Sequence, residues 1–144
     1  MINLEISINY VAVLVAAIAS MAVGFLWYSQ MVLGKPWMKQ MGYTEADLKK
    51  EQKKMGMYYG LSFILSLITA YVLSHVMNLS MNFFNYEPVQ TGLTSAFWMW
   101  FGFIMPVQAT GEIFGGKKWG LFAINTGYQL AALFVMGVVL GYMG

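Results

Sequence analysis

The sequence predicts an all-α polytopic membrane protein: a bundle of four transmembrane helices with both termini on the non-cytoplasmic side. Three observations lead there. Of 144 residues, 59% are hydrophobic and 10% charged, against roughly 45–50% and about 25% in soluble domains. Four apolar segments are each long enough to cross a bilayer, which takes roughly 20 residues. All eight positive charges are lysines, and they fall in two of the three connections between those segments.

The first span is expected over about 8–32. The first 34 residues hold no lysine and one acid, Glu5. They lack the basic start of a signal peptide, so the segment reads as a retained helix. Asn9 opens it, placed to cap the helix or to bond to a neighbour. Trp27 and Tyr28 read as interfacial anchors, and Gly34, Lys35 and Pro36 as the stop. The connection over 33–56 holds a short charged helix. Thr44 is its N-cap, with Asp47 in the capping-box position. Its acids come early and Lys49, Lys50, Lys53 and Lys54 come late, as the helix dipole favours. Only Gly56 separates it from the second span at about 57–79, so the two can form one rod. A loop over 80–88 follows. The third span, about 89–114, contains Pro106, which predicts a kink. A turn at 115–118 leads to the fourth span, about 119–142. One membrane domain then fills residues 1–144.

Topology follows from the lysines. Six lie between the first and second spans and two between the third and fourth. Positive residues mark the cytoplasmic side. The N-terminus, the middle loop and the C-terminus then face outward, which four alternating spans satisfy.

Small residues recur every fourth position: Ala12, Ala16, Ser20 and Gly24; Ser62, Ser66, Ala70 and Ser74; Gly127 and Ala131; Gly137 and Gly141. Residues four apart share a helix face, and small ones let helices approach closely in lipid. The rows serve packing inside the bundle or the seam of a homo-oligomer. Four short helices enclose little volume, so a wide conduction path is expected to need several subunits.

Polar residues inside the spans are few. Glu112 lies near the cytoplasmic end of the third span, with Gln108 one turn before it. Asn125 and Gln129 stand one turn apart on the fourth. A short turn makes these spans antiparallel neighbours, so Gln108, Glu112, Asn125 and Gln129 form one candidate polar cluster. It suits a small polar solute or an ion, or hydrogen bonds that fix helix register. Glu112 has an alternative place among the headgroups, paired with Lys117, Lys118 or water. His75, the only histidine, is a candidate pH-sensitive residue or an interfacial side chain bonded to a neighbour.

Other chemistry is excluded or unsupported. With no cysteine there are no disulfides, thiolate metal sites or cysteine nucleophiles. One histidine and scattered acids offer no metal site. A net charge of +2 gives no reason to expect nucleic acid. No base–nucleophile pair or cofactor motif is present, so neither an enzyme nor a cofactor is expected. Gly111 to Lys117 reads like the start of a P-loop, but Lys118 stands where Ser or Thr is needed. The Asn78-Leu79-Ser80 sequon lies too near the membrane to accept a glycan.

One combination of residues is more specific. Asn9-Tyr10, the run Ala12 to Ala17, Gly24, Trp27-Tyr28-Ser29, Gly34-Lys35 and Trp37 are followed by Gly42, Thr44-Glu45 and Leu48. Ile124-Asn125, Gly127-Tyr128, Met136-Gly137 and Leu140 come near the end. This resembles the "domain of unknown function 1761" family of small, mostly bacterial, four-helix membrane proteins. Members often have Phe where Leu33 stands and Pro near Gln30. The resemblance implies four spans in a cell membrane, a bacterial inner membrane, and no defined activity. The residues themselves lead to an expected function: a small oligomeric channel or transporter-like protein for an ion or small polar solute. The alternative is a structural or accessory protein binding a partner through its small-residue faces. An intramembrane enzyme ranks last.

Overall fold

Asn9 begins the folded bundle, and its side chain does two jobs. Its Oδ1 accepts the Val11 and Ala12 N–H groups, while its Nδ2 donates to the Met143 carbonyl at 3.0 Å. The cap therefore also ties the first helix to the last. The structure, a computed structural model, describes residues 7–144. All its regular elements are helical.

Helix α1 spans Tyr10–Trp27, ending five residues short of the expected 32. The chain turns instead over 28–33. The Leu33 N–H bonds back to the Trp27 carbonyl and the Gly34 N–H to the Ser29 carbonyl. Gly34 permits this turn, since a Cβ there would lie 2.6 Å from the Tyr28 carbonyl oxygen. Gly34 and Pro36, read as a stop, in fact start a second helix, α2, over Gly34–Met41. Proline is tolerated there because first-turn N–H groups have no helical partner. Gly42 closes α2 at φ 73°.

Helix α3, Glu45–Glu51, carries the expected capping box, with Thr44 and Asp47 bonded reciprocally. One 3₁₀ turn, Gln52–Lys54, joins it to α4, Met55–Phe84. The Tyr58 hydroxyl donates to Glu51 at 2.7 Å across that joint. The expected rod is thus continuous over Glu45–Phe84, 40 residues. It runs to Phe84 rather than 79, so the expected loop over 80–88 shrinks to 85–87. Asn85 ends it at φ 57°, a left-handed position that Asn tolerates.

The third helical run divides in two. Helix α5 spans Pro88–Met99 and α6 spans Met105–Phe114. Between them Trp100–Ile104 forms a π-helical turn, with the Met105 N–H reaching back to the Trp100 carbonyl. Pro106 explains it: proline has no N–H, and its ring crowds the carbonyl four residues earlier. The kink predicted from Pro106 is this widened turn. Helix α7 spans Trp119–Met143.

The four long runs form a ring in which α1 touches α4 and α7, and α5 touches α4 and α7. Aromatic and glycine pairs set antiparallel registers. Tyr10 stacks on Tyr71 and Phe25 meets Tyr59 edge-on. Gly92 of α5 meets Gly137 of α7 backbone to backbone, and a Cβ on Gly137 would lie 2.5 Å from the Gly92 carbonyl oxygen. A Cβ on Gly141 would lie 2.7 Å from the Pro88 oxygen.

Packing is uneven along the bundle. At the end bearing the termini, Ala12, Ala16, Ala70, Leu73, Ala96, Leu133 and Met136 form a closed core. At the lysine end, α6 has no buried residue, and α4 buries none before Ala70. The outward faces are apolar: Leu26, Ile64, Leu65, Trp98, Phe103 and Val107 are all exposed. Three helices, Tyr10–Trp27, Glu45–Phe84 and Trp119–Met143, are long and apolar enough to cross a membrane. Buried hydroxyls bond within their own helices, Ser20 to Ala17, Thr91 to Glu87 and Thr126 to Phe122. No buried side-chain polar atom lacks a partner among the described residues.

Two outcomes test this account. Gly92→Ala should lower the thermal midpoint in detergent, since overpacking typically costs about 1–3 kcal/mol. Gly60→Ala, with open space around it, should leave the midpoint unchanged or raise it. At α3, hydrogen bonds from the Thr44 backbone and then its hydroxyl hold the Asp47 carboxyl below its ordinary range. A depressed carboxylate stabilises the fold above its unfolded pKa of about 3.9, and this is lost as pH falls through the folded value. The Asp47 carboxyl followed by NMR should therefore titrate below about 3.9, and higher in Thr44→Ala. Amide protection in α3 should fall across the same window.

Candidate functional site

The four residues expected to form one polar cluster are engaged separately. The Glu112 carboxylate accepts the Lys118 backbone N–H at 2.8 Å, and the Glu112 carbonyl accepts the Lys117 N–H. Glu112 thus closes the α6–α7 turn, where Lys117 sits at φ 53°. The backbone of Lys118, and not a lysine ammonium, is its recorded partner. Asn125 turns towards α1, its Oδ1 accepting the Tyr28 hydroxyl at 2.7 Å. Gln129 lines a cavity between α1, α4 and α7. Gln108 is half-buried on α6, and among the described residues no hydrogen bond joins any two of the four. His75 packs edge-on against Tyr71, ring centroids 4.6 Å apart.

Trp27 and Tyr28, expected at the membrane interface, reach into the bundle. Trp27 Nε1 donates to the Ile124 carbonyl at 3.0 Å. Tyr28 lies edge-on to both Tyr128 and Trp37. Trp37 meets Tyr43 in the same way, which seats α2 against the lysine end of the bundle.

Loose packing at this end leaves room. A cavity of about 190 Å³ is lined by Ser20, Ser62, Ser66, Thr69, Tyr128 and Gln129, with Leu133 and Met136 at its base. It shares Ser62 and Tyr128 with a second cavity of about 280 Å³, bordered by Gly24, Tyr28 and Tyr59. That one shares Tyr28 and Tyr59 with a third, of about 410 Å³, which opens beside Trp37, Leu48 and Met55. The three follow one another, wall to wall, from the lysine-bearing connection to the middle of the bundle. Close approach of helix backbones does not close them, because Ser62 and Ser66 are small and α4 stands away from the core there.

A separate cavity of about 200 Å³ enters from the end bearing the termini. Ser7, Asn9, Ser74 and Asn78 line it, with Ala12, Met77 and Leu140 at its inner edge. The Asn78 amide donates to the Ser74 carbonyl at 2.8 Å, leaving its oxygen free to accept. The two approaches end close together. On α7, Met136 borders one and Leu140 the other. On α1, Ser20 and Ala12 do so, and on α4, Thr69 and Ser74. At 1.5 Å per residue these separations are about 6–12 Å. Between them lie the fully buried Ala16, Ala70 and Leu73.

The sequence pointed to Gln129 but not to its neighbours. Ser62 and Ser66 read as packing residues, and Tyr128 carried no signal of its own. The Tyr28 and Tyr128 rings meet edge-on because α1 and α7 are antiparallel, which spacing along one helix cannot reveal. No group of three metal-ligating side chains occurs among the described residues.

A family model described as "Protein of unknown function (DUF1761)" matches residues 11–141. No curated protein and no solved structure matches the chain.

The Tyr28–Asn125 bond offers a direct test. A double-mutant cycle of Tyr28→Phe and Asn125→Ala, read by unfolding in detergent, should give a coupling of about 0.6–1.7 kcal/mol, the range of hydrogen bonds between membrane helices. Additive single effects would show that the pair contributes nothing to holding α1 on α7.

Proposed function

The chain belongs to the DUF1761 family of proteins of unknown function, and from that premise we propose that it is a four-span membrane protein that passes a small polar solute. The spans of this reading are α1, α4, the α5–α6 run and α7. The lysine end faces the cytoplasm of a bacterial cell and both termini face outward. Eight lysines in the two connections at one end support that orientation. The apolar outward faces support the bilayer.

One observation carries the reading of transport. Two polar cavities approach each other from opposite ends of the bundle, and only about one to two helical turns of packed apolar side chains separate them. Polar groups facing open space within a spanning bundle are costly to keep. Two cavities on either side of a thin apolar plug suit a substrate path closed at its centre. Hydrophobic constrictions of this kind gate by excluding water. Leu73, Ala16 and Met136 form the plug.

The path lies within one chain, so it needs no ring of subunits. A homo-oligomer then carries one path in each copy. The rival reading, an accessory protein gripping a partner through its small-residue faces, has less to draw on. The glycines of those faces on α1 and α7 are engaged inside the bundle: Gly137 on Gly92, Gly141 on Pro88, Gly24 against Tyr128 and Gly127 against Trp27.

Purified protein in liposomes should pass at least one member of a panel of ions and neutral solutes. Leu73→Ser should raise that flux at least tenfold by wetting the plug. Met136→Ala, a milder opening from one side, should raise it less. Circular dichroism and gel filtration establish that both variants are folded. No flux from the native protein or from either folded variant would overturn the reading.

A further inference from the structure

We propose that the cavity lined by Ser20, Ser62, Ser66, Thr69, Tyr128 and Gln129 is a binding site for a small uncharged solute rich in hydrogen-bonding groups, of the polyol, urea or simple amide class. The proposal rests on the transport reading for its biological use, but the binding site stands on its own geometry.

No charged side chain lines this cavity or either of the two that lead to it. An ion taken from water into a site flanked by Leu133 and Met136 needs a countercharge or several aligned ligands. Neither is present. A neutral solute needs only hydrogen-bond partners, and the walls hold several. Ser62 and Gln129 have no hydrogen-bond partner among the described residues. The Ser66 hydroxyl leans on the Met21 sulfur at 3.9 Å, a weak acceptor. The Tyr128 hydroxyl reaches the Ser20 carbonyl only at 3.4 Å, long for an O–H···O bond. Thr69 donates to the Leu65 carbonyl, and its oxygen can still accept. The Gln129 amide both donates and accepts.

Size narrows the class further. A cavity of about 190 Å³ equals the share of about six waters at about 30 Å³ each. A solute of roughly four to six heavy atoms fills it and replaces the bonds of the water it displaces. A polar lining also rejects apolar solutes of the same size, since its groups would be left unpaired.

Scintillation-proximity binding to the purified full-length protein tests this, using radiolabelled glycerol, urea and acetamide against sodium, chloride and formate. At least one neutral probe should bind saturably and none of the ions should. Gln129→Leu and Ser62→Val should each weaken binding at least tenfold. Ser66→Ala, which removes an oxygen without adding bulk, should weaken it less and guards against misfolding. Gly60→Ala, outside the cavities, should not alter it. Saturable binding of an ion with none of a neutral probe would overturn the solute class while leaving the path intact. Neutral binding unaffected by all three cavity variants would overturn the site. Neutral binding lost in those variants, with no flux in liposomes, would uphold the site and remove the transport reading. Absence of binding by all three neutral probes would overturn the proposal.

Discussion

The backbone contact between α5 and α7 is the constraint on which the other packing depends. Gly92 and Gly137 meet with no side chain between them, and Gly141 repeats the contact one turn on against Pro88. With the two backbones in direct contact, stability there comes from dispersion across closely fitted surfaces. That fit draws the ends of four helices together around Ala12, Ala16, Ala70 and Ala96. It also sets the register that brings Trp100 Nε1 within 2.8 Å of the Thr126 carbonyl. The same contact cannot continue towards the lysine end. There the π turn before Pro106 redirects the third run, and α6 leaves the core.

Helix α7 is where the bundle is tied. Asn9, Trp27, Tyr28 and Trp100 all place a donor on it, at Met143, Ile124, Asn125 and Thr126. Three of those acceptors are backbone carbonyls, so they survive changes in the side chains of α7. Bonds of this kind are individually weak in membranes. Their value lies in direction, since each has one geometry and together they allow one rotation of α7. The cavities follow from this arrangement. Where α7 is tied to α1 but α4 leans away, serines and a glutamine face open space.

Much of the architecture was legible in the chain. Apolar run lengths marked the helices, Thr44 and Asp47 marked the cap of α3, and Pro106 marked a distortion. The ends were less legible. Trp27 and Tyr28 read as interfacial because aromatic residues at the end of an apolar run commonly are. Their polar atoms are bonded to Ile124 and Asn125 of α7. The polar cluster was read from proximity along a hairpin. Proximity is not rotation, and Glu112, Asn125 and Gln129 point to a turn, to α1 and to a cavity respectively.

The sequence by itself determined what depends on composition and period: an all-helical chain, its apolar stretches, the lysines gathered in two connections and the family it belongs to. Those signals lie within single segments, so no partner helix is needed to read them. Only the tertiary structure decided which small residues touch and which line a void. Gly92, Gly137, Ser62 and Ser66 look alike as small residues on helix faces. Two hold backbones in contact and two border a cavity, because the helices converge at one end and part at the other. That divergence is a property of how four helices cross, which no single helix records.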